Sequence, residues 1–215
     1  MLERCLPTGA TEVLDLAAGT GPLTTGLLDL GLSVIAVEPL DDMRALIPPA
    51  ARAIAGTAEH IPLPDDSVDA VFIGQAWHWF DIPRAVAEVH RVLRPGGTMT
   101  PMWNLLDADD PLSLTLSELA MHDECSARML GDEAVPPFDP AGLFSPPERI
   151  IARYEVRYDA ERVEALIAST SFSILSSDAD RARTLAAVRD ALPDGEFALS
   201  WICEAWSSVK LAATQ

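Results

Sequence analysis

The chain has 215 residues, a formal net charge of −18 and 49% apolar residues. A chain of this length can form one α/β domain with a substantial core, and its apolar fraction excludes global disorder. The acidic charge repels phosphate backbones and anionic lipid headgroups, so we expect neither nucleic acid nor a membrane as a partner. The cysteines are widely spaced and no apolar run is long enough to span a bilayer, which is typical of a cytoplasmic protein.

Strands and helices alternate along the first half of the chain. Apolar runs predict strands over residues 12–17, 33–37, 53–55, 68–73 and 98–103. Helical periodicity, with stops at glycine or proline, predicts helices over residues 22–30, 41–47 and 82–93. Because the connections are short, this alternation predicts right-handed βαβ units in a doubly wound, mostly parallel sheet.

The second half of the chain is less regular. It is predicted to contain helices over residues 111–129, 160–169 and 178–192, and strands over residues 150–158 and 196–206. Residues 105–149 include a proline-rich stretch. Their length and irregularity predict a cover over one edge of the sheet rather than a linker between domains.

A strand that ends in a glycine-rich turn is the most informative feature. The apolar run from Val13 to Ala17 is followed by Gly19-Thr20-Gly21 and then by a helix. Glycines allow backbone N–H groups to approach a ligand closely, because no Cβ intervenes. The second strand is followed by Glu38, 17 residues after Gly21, where a carboxylate can accept hydrogen bonds from two ribose hydroxyls. Together these features predict a cofactor that contains adenosine.

Two sequence patterns distinguish the candidate cofactors. Dinucleotide-binding loops carry a third glycine or alanine where this chain has Thr24. The alternative pattern has an acidic residue at the end of the first strand, and Asp15 stands there. The segment Asp15-Leu16-Ala17-Ala18-Gly19-Thr20-Gly21 resembles the first motif of class I S-adenosylmethionine-dependent methyltransferases. The resemblance is closest to the type 11 small-molecule branch, which includes trans-aconitate-methyltransferase-like enzymes.

Four further segments, in order along the chain, carry the same resemblance. They are Val37-Glu38-Pro39 followed by Met43, Gly56 to Asp65, Gly74 to Asp81, and Val92 to Gly97. Ala17 and Thr57 depart from the family, which commonly has glycine and aspartate at these places. The resemblance implies a three-layer αβα, Rossmann-like fold with an antiparallel final strand. It also implies methyl transfer from S-adenosylmethionine to a small-molecule acceptor, with S-adenosylhomocysteine as the product.

The resemblance also implies a division of labour within one domain over residues 1–215. Residues 12–104 would bind the cofactor, residues 105–149 would cover it, and residues 150–209 would complete the sheet. The implied cofactor-binding residues are Asp15, Ala17, Gly19, Gly21, Glu38, Pro39, Met43, Thr57, Ala58, Glu59, Gln75 and Ala76. The implied substrate-pocket residues are Trp77, His78, Trp79, Phe80 and Trp103.

Several of these residues have structural interpretations that stay open. His78 is the candidate general base, because an ordinary imidazole titrates near neutral pH, but its tryptophan neighbours also suit a packed, hydrogen-bonded ring. Methyl transfer to a carboxylate or thiolate needs no base, so no catalytic base is assigned. Asp15 could hold the following loop, Glu38 could cap the next helix, and Trp103 could belong to the core. The histidines and cysteines lack the spacing of metal ligands, so no metal site is expected.

Eleven residues precede the first predicted strand, where family members commonly carry a helix that closes over the cofactor. We expect this cover to be missing, or to come from residues 105–149 or from a partner subunit, and cofactor affinity to be weaker than in relatives that have the helix. Two other functions stay open. One is a degenerate, non-catalytic module that binds S-adenosylmethionine or S-adenosylhomocysteine, and the other is an NAD(P)-dependent oxidoreductase. A homodimer is also left open.

Overall fold

The structure, a computed structural model, describes residues 1–120, 139, 141–169 and 176–212. The predicted helix over residues 111–129 is described as far as Ala120. Its remainder lies outside the described residues, as does most of the proline-rich stretch.

The predicted strands and helices are present, with small differences in their bounds. The strands are β1 (Glu12–Leu16), β2 (Ser33–Val37), β3 (Arg52–Ile54), β4 (Val68–Gly74), β5 (Leu93–Leu106), β6 (Glu148–Tyr158) and β7 (Phe197–Val209). The helices are α1 (Pro22–Asp29), α2 (Asp41–Arg44), α3 (Ile82–Val92), α4 (Pro111–Ala120), α5 (Ala160–Ala168) and α6 (Asp178–Ala191). Short 3-10 helices cover Leu2–Cys5 and Trp77–Trp79.

The strands form a seven-stranded sheet in the order β3-β2-β1-β4-β5-β7-β6. Strands β1 to β5 are parallel to one another. Strand β7 is antiparallel to β5, since Lys210 pairs with Gly97 and Asp107 pairs with Ser200. This is the predicted doubly wound, Rossmann-like sheet with an antiparallel final strand. The strand order reverses between β1 and β4, and in such sheets ligands bind in the crevice beyond the carboxyl ends of the strands.

The central strands are apolar because both faces of the sheet are covered. In β1, Val13, Leu14 and Leu16 are each fully buried, and β4 buries Val71 and Phe72 equally completely. A strand that packs on both faces has no solvent face for polar residues, so its sequence is a continuous apolar run. The exception in β1 is Asp15, a carboxylate that is only 1% exposed.

Helix α2 is shorter than the predicted helix over residues 41–47. It ends at Arg44, and the chain continues in a turn in which the N–H of Ile47 donates to the carbonyl of Arg44. Proline at positions 48 and 49 disfavours helical backbone in the preceding residue. The prediction placed the end of this helix three residues too late.

Strand β5 begins at Leu93, whereas the sequence predicted a strand from Thr98. Leu93 pairs with Val68, but the next pair joins Thr98 to Ala70, so residues 94–97 bulge out of the ladder. A bulge keeps both flanking segments in one strand. The helix ends before Pro-Gly-Gly at 95–97, as predicted, but these three residues lie within β5 rather than ahead of it.

The chain divides into two compact units. Unit 1 comprises Met1–Trp103, Pro137–Ile151 and Glu204–Gln215, and it contains every residue that was predicted to bind cofactor or substrate. Unit 2 comprises Asn104–Pro136 and Ala152–Cys203. Its core is made of Leu106, Leu116, Val163, Ile167, Val188, Leu199 and Trp201. The single domain and the covering role of residues 105–149 stay predictions.

In the described part of the chain, no helix is both long enough and apolar enough to cross a bilayer.

Two adjacent glycines in the β5 bulge allow a matched stability test. A Cβ at Gly97 would lie 2.8 Å from the carbonyl oxygen of Asp69 and 2.9 Å from that of Arg94. A Cβ at Gly96 would have no described atom within 4 Å, although its φ of +78° disfavours alanine. We therefore expect Gly97→Ala to lower the free energy of unfolding by about 2–3 kcal/mol through overpacking, and Gly96→Ala by about 1 kcal/mol through backbone strain. Urea unfolding followed by circular dichroism measures both, and equal losses would contradict the bulge geometry.

Candidate functional site

The loop after β1 has an unusual backbone. Ala17, Gly19 and Gly21 all adopt left-handed conformations, with φ values of 58°, 58° and 87°. Such a conformation costs an alanine about 1–2 kcal/mol and glycine almost nothing. Glycine would therefore be the less strained residue at position 17. The observed backbone also explains why the loop is rich in glycine.

The two glycines of this loop have different surroundings. A Cβ at Gly21 would lie 2.7 Å from Cδ of Pro48, so glycine is needed there for packing within the protein. A Cβ at Gly19 would have no atom of the described chain within 4 Å. The space beside Gly19 is therefore open, and Gly19 is the glycine of the pair that leaves room for a ligand.

The carboxylate of Glu38 joins the two loops that follow β1 and β2. Its Oε2 accepts a hydrogen bond from the N–H of Gly19 and its Oε1 accepts one from the N–H of Leu40, both at 2.9 Å. The side chain of Arg44 donates to the Glu38 carbonyl at 2.7 Å and so fixes the backbone of this turn. Glu38 is only 4% exposed, yet both of its oxygens are satisfied. The carboxylate therefore lies beside the glycine loop, and its role in binding the cofactor stays a prediction.

Asp15 lies beneath the same loop. Its Oδ2 accepts a hydrogen bond of 2.6 Å from the hydroxyl of Thr24, the third residue of α1, and the backbone N–H of Thr24 donates a second bond. Burial raises the pKa of Asp15 to about 6, although the bonds from Thr24 act to lower it, and the charge of Glu38 raises it further. A buried carboxylate that costs free energy to ionise is typical of functional sites.

The segment after β3 carries three of the predicted cofactor-binding residues, Thr57, Ala58 and Glu59. Thr57 and His60 form an isolated bridge, with Ala58 buried between them. Glu59 accepts a hydrogen bond of 3.0 Å from the N–H of Asp81, which precedes α3. Burial acts to raise the pKa of Glu59, but hydrogen bonds from the backbone of Asp81, from its own backbone and from Thr57 bring it below its usual value. Glu59 therefore holds this segment as a carboxylate.

Arg91 and Glu88 of α3 fix the rest of this segment. The guanidinium of Arg91 donates to the carbonyl oxygens of Ile61 and Leu63 at 2.9 and 2.7 Å. The carboxylate of Glu88 accepts from the N–H of Ile61 at 2.8 Å and from Arg91 at 2.7 Å. The segment from Thr57 to Leu63 is therefore held in one conformation by α3.

The segment after β4 carries the predicted substrate-pocket residues. Gln75 has a left-handed backbone, with φ of 58°, and its N–H donates to the carbonyl of Met102 in β5. This sharp turn leads into the 3-10 helix Trp77–Trp79. Trp77 is 4% exposed and packs against Phe80, with ring centroids 6.0 Å apart. Trp77 therefore anchors the segment in the core.

His78 and Trp79 are exposed, as is Gln75 at the start of the segment. Trp79 is 61% exposed, and its ring lies 4.8 Å from that of His78 between centroids. A largely exposed tryptophan at the carboxyl edge of the sheet is available to contact a ligand. Trp103 differs, because it is 4% exposed within β5. Its burial favours the core interpretation, and its place in the pocket stays a prediction.

Three residues that shape the site were not predicted from the sequence. Thr24 was noted only because it is not glycine, yet it is the partner of Asp15. Arg44 and Arg91 were not considered, although each binds backbone carbonyls of a site segment. The signal available in the sequence was the position of Thr24 on the apolar face of a predicted helix. Nothing local signals Arg91, since it acts on residues 28 and 30 positions earlier.

Among the residues that the structure describes, no three histidine, cysteine or carboxylate side chains are grouped closely enough to hold a metal ion.

Comparisons with known proteins identify the class that this fold and site define. The type 11 methyltransferase domain family matches residues 14–100, which include the glycine loop, Glu38 and the segment from Gln75 to Phe80. A Mycobacterium tuberculosis protein named as an uncharacterized methyltransferase is 42% identical over 199 residues, 89% of this chain and 77% of the relative. A malonyl-[acyl-carrier protein] O-methyltransferase of Pectobacterium atrosepticum is 35% identical over 92 residues, 41% of this chain and 36% of that protein.

A solved structure from Anaeromyxobacter dehalogenans, described as a candidate type II methyltransferase, supports the fold. It has a TM-score of 0.68 and 23% identity, with 96% of this chain and 92% of that chain covered. The chain belongs to the class I S-adenosylmethionine-dependent methyltransferases, in the type 11 domain family. The family prediction is confirmed, and the matches decide against an NAD(P)-dependent oxidoreductase.

The buried carboxylate of Asp15 gives a pH-dependent prediction for stability. The native protein holds its proton up to a pH of about 6, whereas an unfolded aspartate has a pKa near 3.8. Native Asp15 therefore binds the proton more tightly, and wild-type stability falls as pH rises through this window. Ionised Asp15 costs about 3 kcal/mol above it. We expect Asp15→Asn to be more stable than wild type at pH 7.5 by up to this amount, and the difference to shrink below pH 5.

Urea unfolding at a series of pH values measures this difference between the two proteins. Asp69→Asn serves as a control with the opposite sign. Burial acts to raise the pKa of Asp69, but hydrogen bonds from the backbone of Glu12 and Thr11 and from Arg94 lower it. Asp69→Asn should therefore destabilise at neutral pH and lose its effect in acid. A pH-independent effect of Asp15→Asn would contradict the account of Asp15.

Proposed function

We propose that this chain binds S-adenosylmethionine at the carboxyl ends of β1 and β2 and methylates a small-molecule acceptor. The observation that carries the proposal is the Glu38 carboxylate, fixed beside a glycine loop with open space at Gly19. The alternative in which Glu38 only caps α2 has some support, because its Oε1 accepts from the N–H of Leu40. The second bond, to Gly19 across the loop, exceeds what a helix cap needs.

The remaining capacity of Glu38 suits a ribose. A carboxylate offers about four acceptor positions, and two of them are used by the N–H groups of Gly19 and Leu40. Two positions are left for the two neighbouring hydroxyls of an adenosine ribose. The backbone bonds fix the orientation of the carboxylate before a ligand arrives, which reduces the entropy lost on binding.

Apolar side chains beside Glu38 suit the adenine ring. Leu40 and Met43 are 56% and 43% exposed, so their side chains are accessible to a ligand. The segment of Thr57 and Ala58 follows β3, which pairs with β2, and it is held by Glu59 and α3. Together these groups would contact the faces and edge of a purine. The predicted roles of Pro39, Gln75 and Ala76 rest on their place at the same edge of the sheet.

S-adenosylmethionine, when bound, would supply an electrophilic methyl group on a sulfonium. The acceptor atom would bond to the methyl carbon in line with the breaking carbon–sulfur bond, so that S-adenosylhomocysteine leaves as a neutral thioether. The protein then has to orient the acceptor and exclude side reactions. Trp79 and Phe80 offer aromatic surface for that purpose, on a segment anchored by Trp77. His78 can take a proton from a hydroxyl or amine acceptor, whereas a carboxylate acceptor needs no base.

The acceptor is proposed to be a small molecule. A net charge of −18 disfavours nucleic acid, and a single exposed tryptophan beside His78 suits a ligand of limited size. The P. atrosepticum relative is named for a malonyl group on a carrier protein, so carboxylates belong in the first panel of acceptors. A place in the trans-aconitate-like branch leads to the same panel, because that branch is named for a carboxylate acceptor.

Isothermal titration with S-adenosylhomocysteine tests the cofactor. We expect saturable binding to the wild type and loss of binding in Glu38→Ala. Because that variant also frees two backbone N–H groups, Gly19→Ala is the sharper change. Its φ of +58° gives it strain similar to that of Gly96→Ala, and at both positions the described residues leave more than 4 Å of space.

Gly19→Ala should therefore lose about as much stability as Gly96→Ala, but it should weaken ligand binding more than tenfold because the methyl group enters the ligand space. Gly96→Ala should bind like the wild type. No binding to the wild type at millimolar ligand, or equal binding by both alanine variants, would contradict the proposal. Binding of S-adenosylmethionine without formation of S-adenosylhomocysteine, across a broad acceptor panel, would favour the non-catalytic module.

A further inference from the structure

Thr24 is the residue of the site whose presence the cofactor pattern leaves unexplained. It occupies the place where dinucleotide-binding loops have a third glycine, and it is 0% exposed. A buried hydroxyl is costly unless it is hydrogen-bonded. Here it donates to Asp15, which is itself 1% exposed, over 2.6 Å. This bond joins the end of β1 to the first turn of α1.

The loop between β1 and α1, residues 17–21, is held by hydrogen bonds from neighbouring elements. Three of its five residues, Ala17, Gly19 and Gly21, have left-handed backbone, and Ala17 is strained by it. On the β2 side, the N–H of Ala18 donates to the carbonyl of Val37 at 3.1 Å, and Gly19 donates to Glu38. On the α1 side, the corresponding tie is the pair of hydrogen bonds between Thr24 and Asp15.

We propose that Thr24, acting through Asp15, is a positioning residue that holds the glycine loop in its ligand-binding conformation and sets the affinity for the cofactor. This inference rests on the proposed function. Asp15 orders α1 as well, because its carboxylate accepts from the backbone N–H of the third helical residue. In most helices this N–H is satisfied by the residue before the helix, but Gly21 has no side chain to do so.

The hydrogen bonds between Thr24 and Asp15 also affect whether the Asp15 carboxyl group is ionised. Burial and the negative charge of Glu38 favour protonated Asp15, whereas the bonds from Thr24 favour the carboxylate. Glu38, at the end of β2, is the charged group that acts on Asp15 within the described part of the chain. S-adenosylmethionine and S-adenosylhomocysteine both carry an ammonium group, so an ionised Asp15 attracts either ligand. Affinity should therefore rise with pH through the titration of Asp15.

Thr24→Val and Thr24→Ser form a matched test in the full-length chain. Valine keeps the shape of threonine and removes the hydroxyl, while serine keeps the hydroxyl. We expect Thr24→Val to bind S-adenosylhomocysteine about tenfold more weakly at pH 7 in isothermal titration, because a hydrogen bond to a charged group is lost. The midpoint of its affinity against pH should move upward, because the carboxylate loses a donor. Thr24→Ser should stay within about twofold of the wild type.

Amide hydrogen exchange supplies a readout without ligand. The N–H groups of Ala18, Gly19 and Gly21 should exchange faster in Thr24→Val and as in the wild type in Thr24→Ser. If the valine variant does not fold, Asp15→Asn replaces it, and its affinity should no longer change with pH between 5 and 8.

Three outcomes would overturn the inference, and they are distinguishable. A wild type that binds while Thr24→Val binds equally well, with the same pH profile and the same exchange rates, removes the role of Thr24 but leaves the proposed function intact. A wild type that does not bind at any pH removes the proposed function and this inference with it. Persistent pH dependence in Asp15→Asn would also overturn the inference.

Discussion

The arrangement of the site depends on a carboxylate that is bonded to two backbone loops at once. Glu38 accepts from the N–H of Gly19 after β1 and from that of Leu40 after β2. In a parallel sheet these loops emerge side by side, and without Glu38 the N–H groups of Gly19 and Leu40 would lose their acceptor. One buried carboxylate satisfies both and still retains acceptor capacity for a ligand. The open space beside Gly19 is where we propose that the ligand binds.

Stability and function conflict at Asp15. Its carboxylate is buried in an otherwise apolar strand, and its pKa of about 6 shows that ionisation there costs free energy. An apolar residue of similar volume would pack in β1 at lower cost. The ionised group is retained together with Thr24, the one side chain that satisfies it from α1. Sites at which a local rule of stability is broken are commonly functional, and this one lies directly beneath the glycine loop.

The sheet and the cofactor loop could be predicted from the sequence because their signals are local. Apolar runs mark β1, β2 and β4, and a glycine turn after a strand marks the loop. The β5 bulge could not be predicted, because Pro-Gly-Gly is equally consistent with a turn until the pairing with β4 is known. The roles of Thr24 and Arg91 also depend on tertiary contacts. The antiparallel direction of β7 was predicted from the family resemblance, because no periodicity in the chain indicates it.

A crystal structure of the complex with S-adenosylhomocysteine tests the central claim most directly. We expect both ribose hydroxyls within hydrogen-bonding distance of the Glu38 carboxylate, while Glu38 keeps its bonds to the N–H groups of Gly19 and Leu40. The ligand backbone should occupy the open space at Gly19. A ligand bound elsewhere, or one that displaces Glu38 from Gly19, would contradict the account.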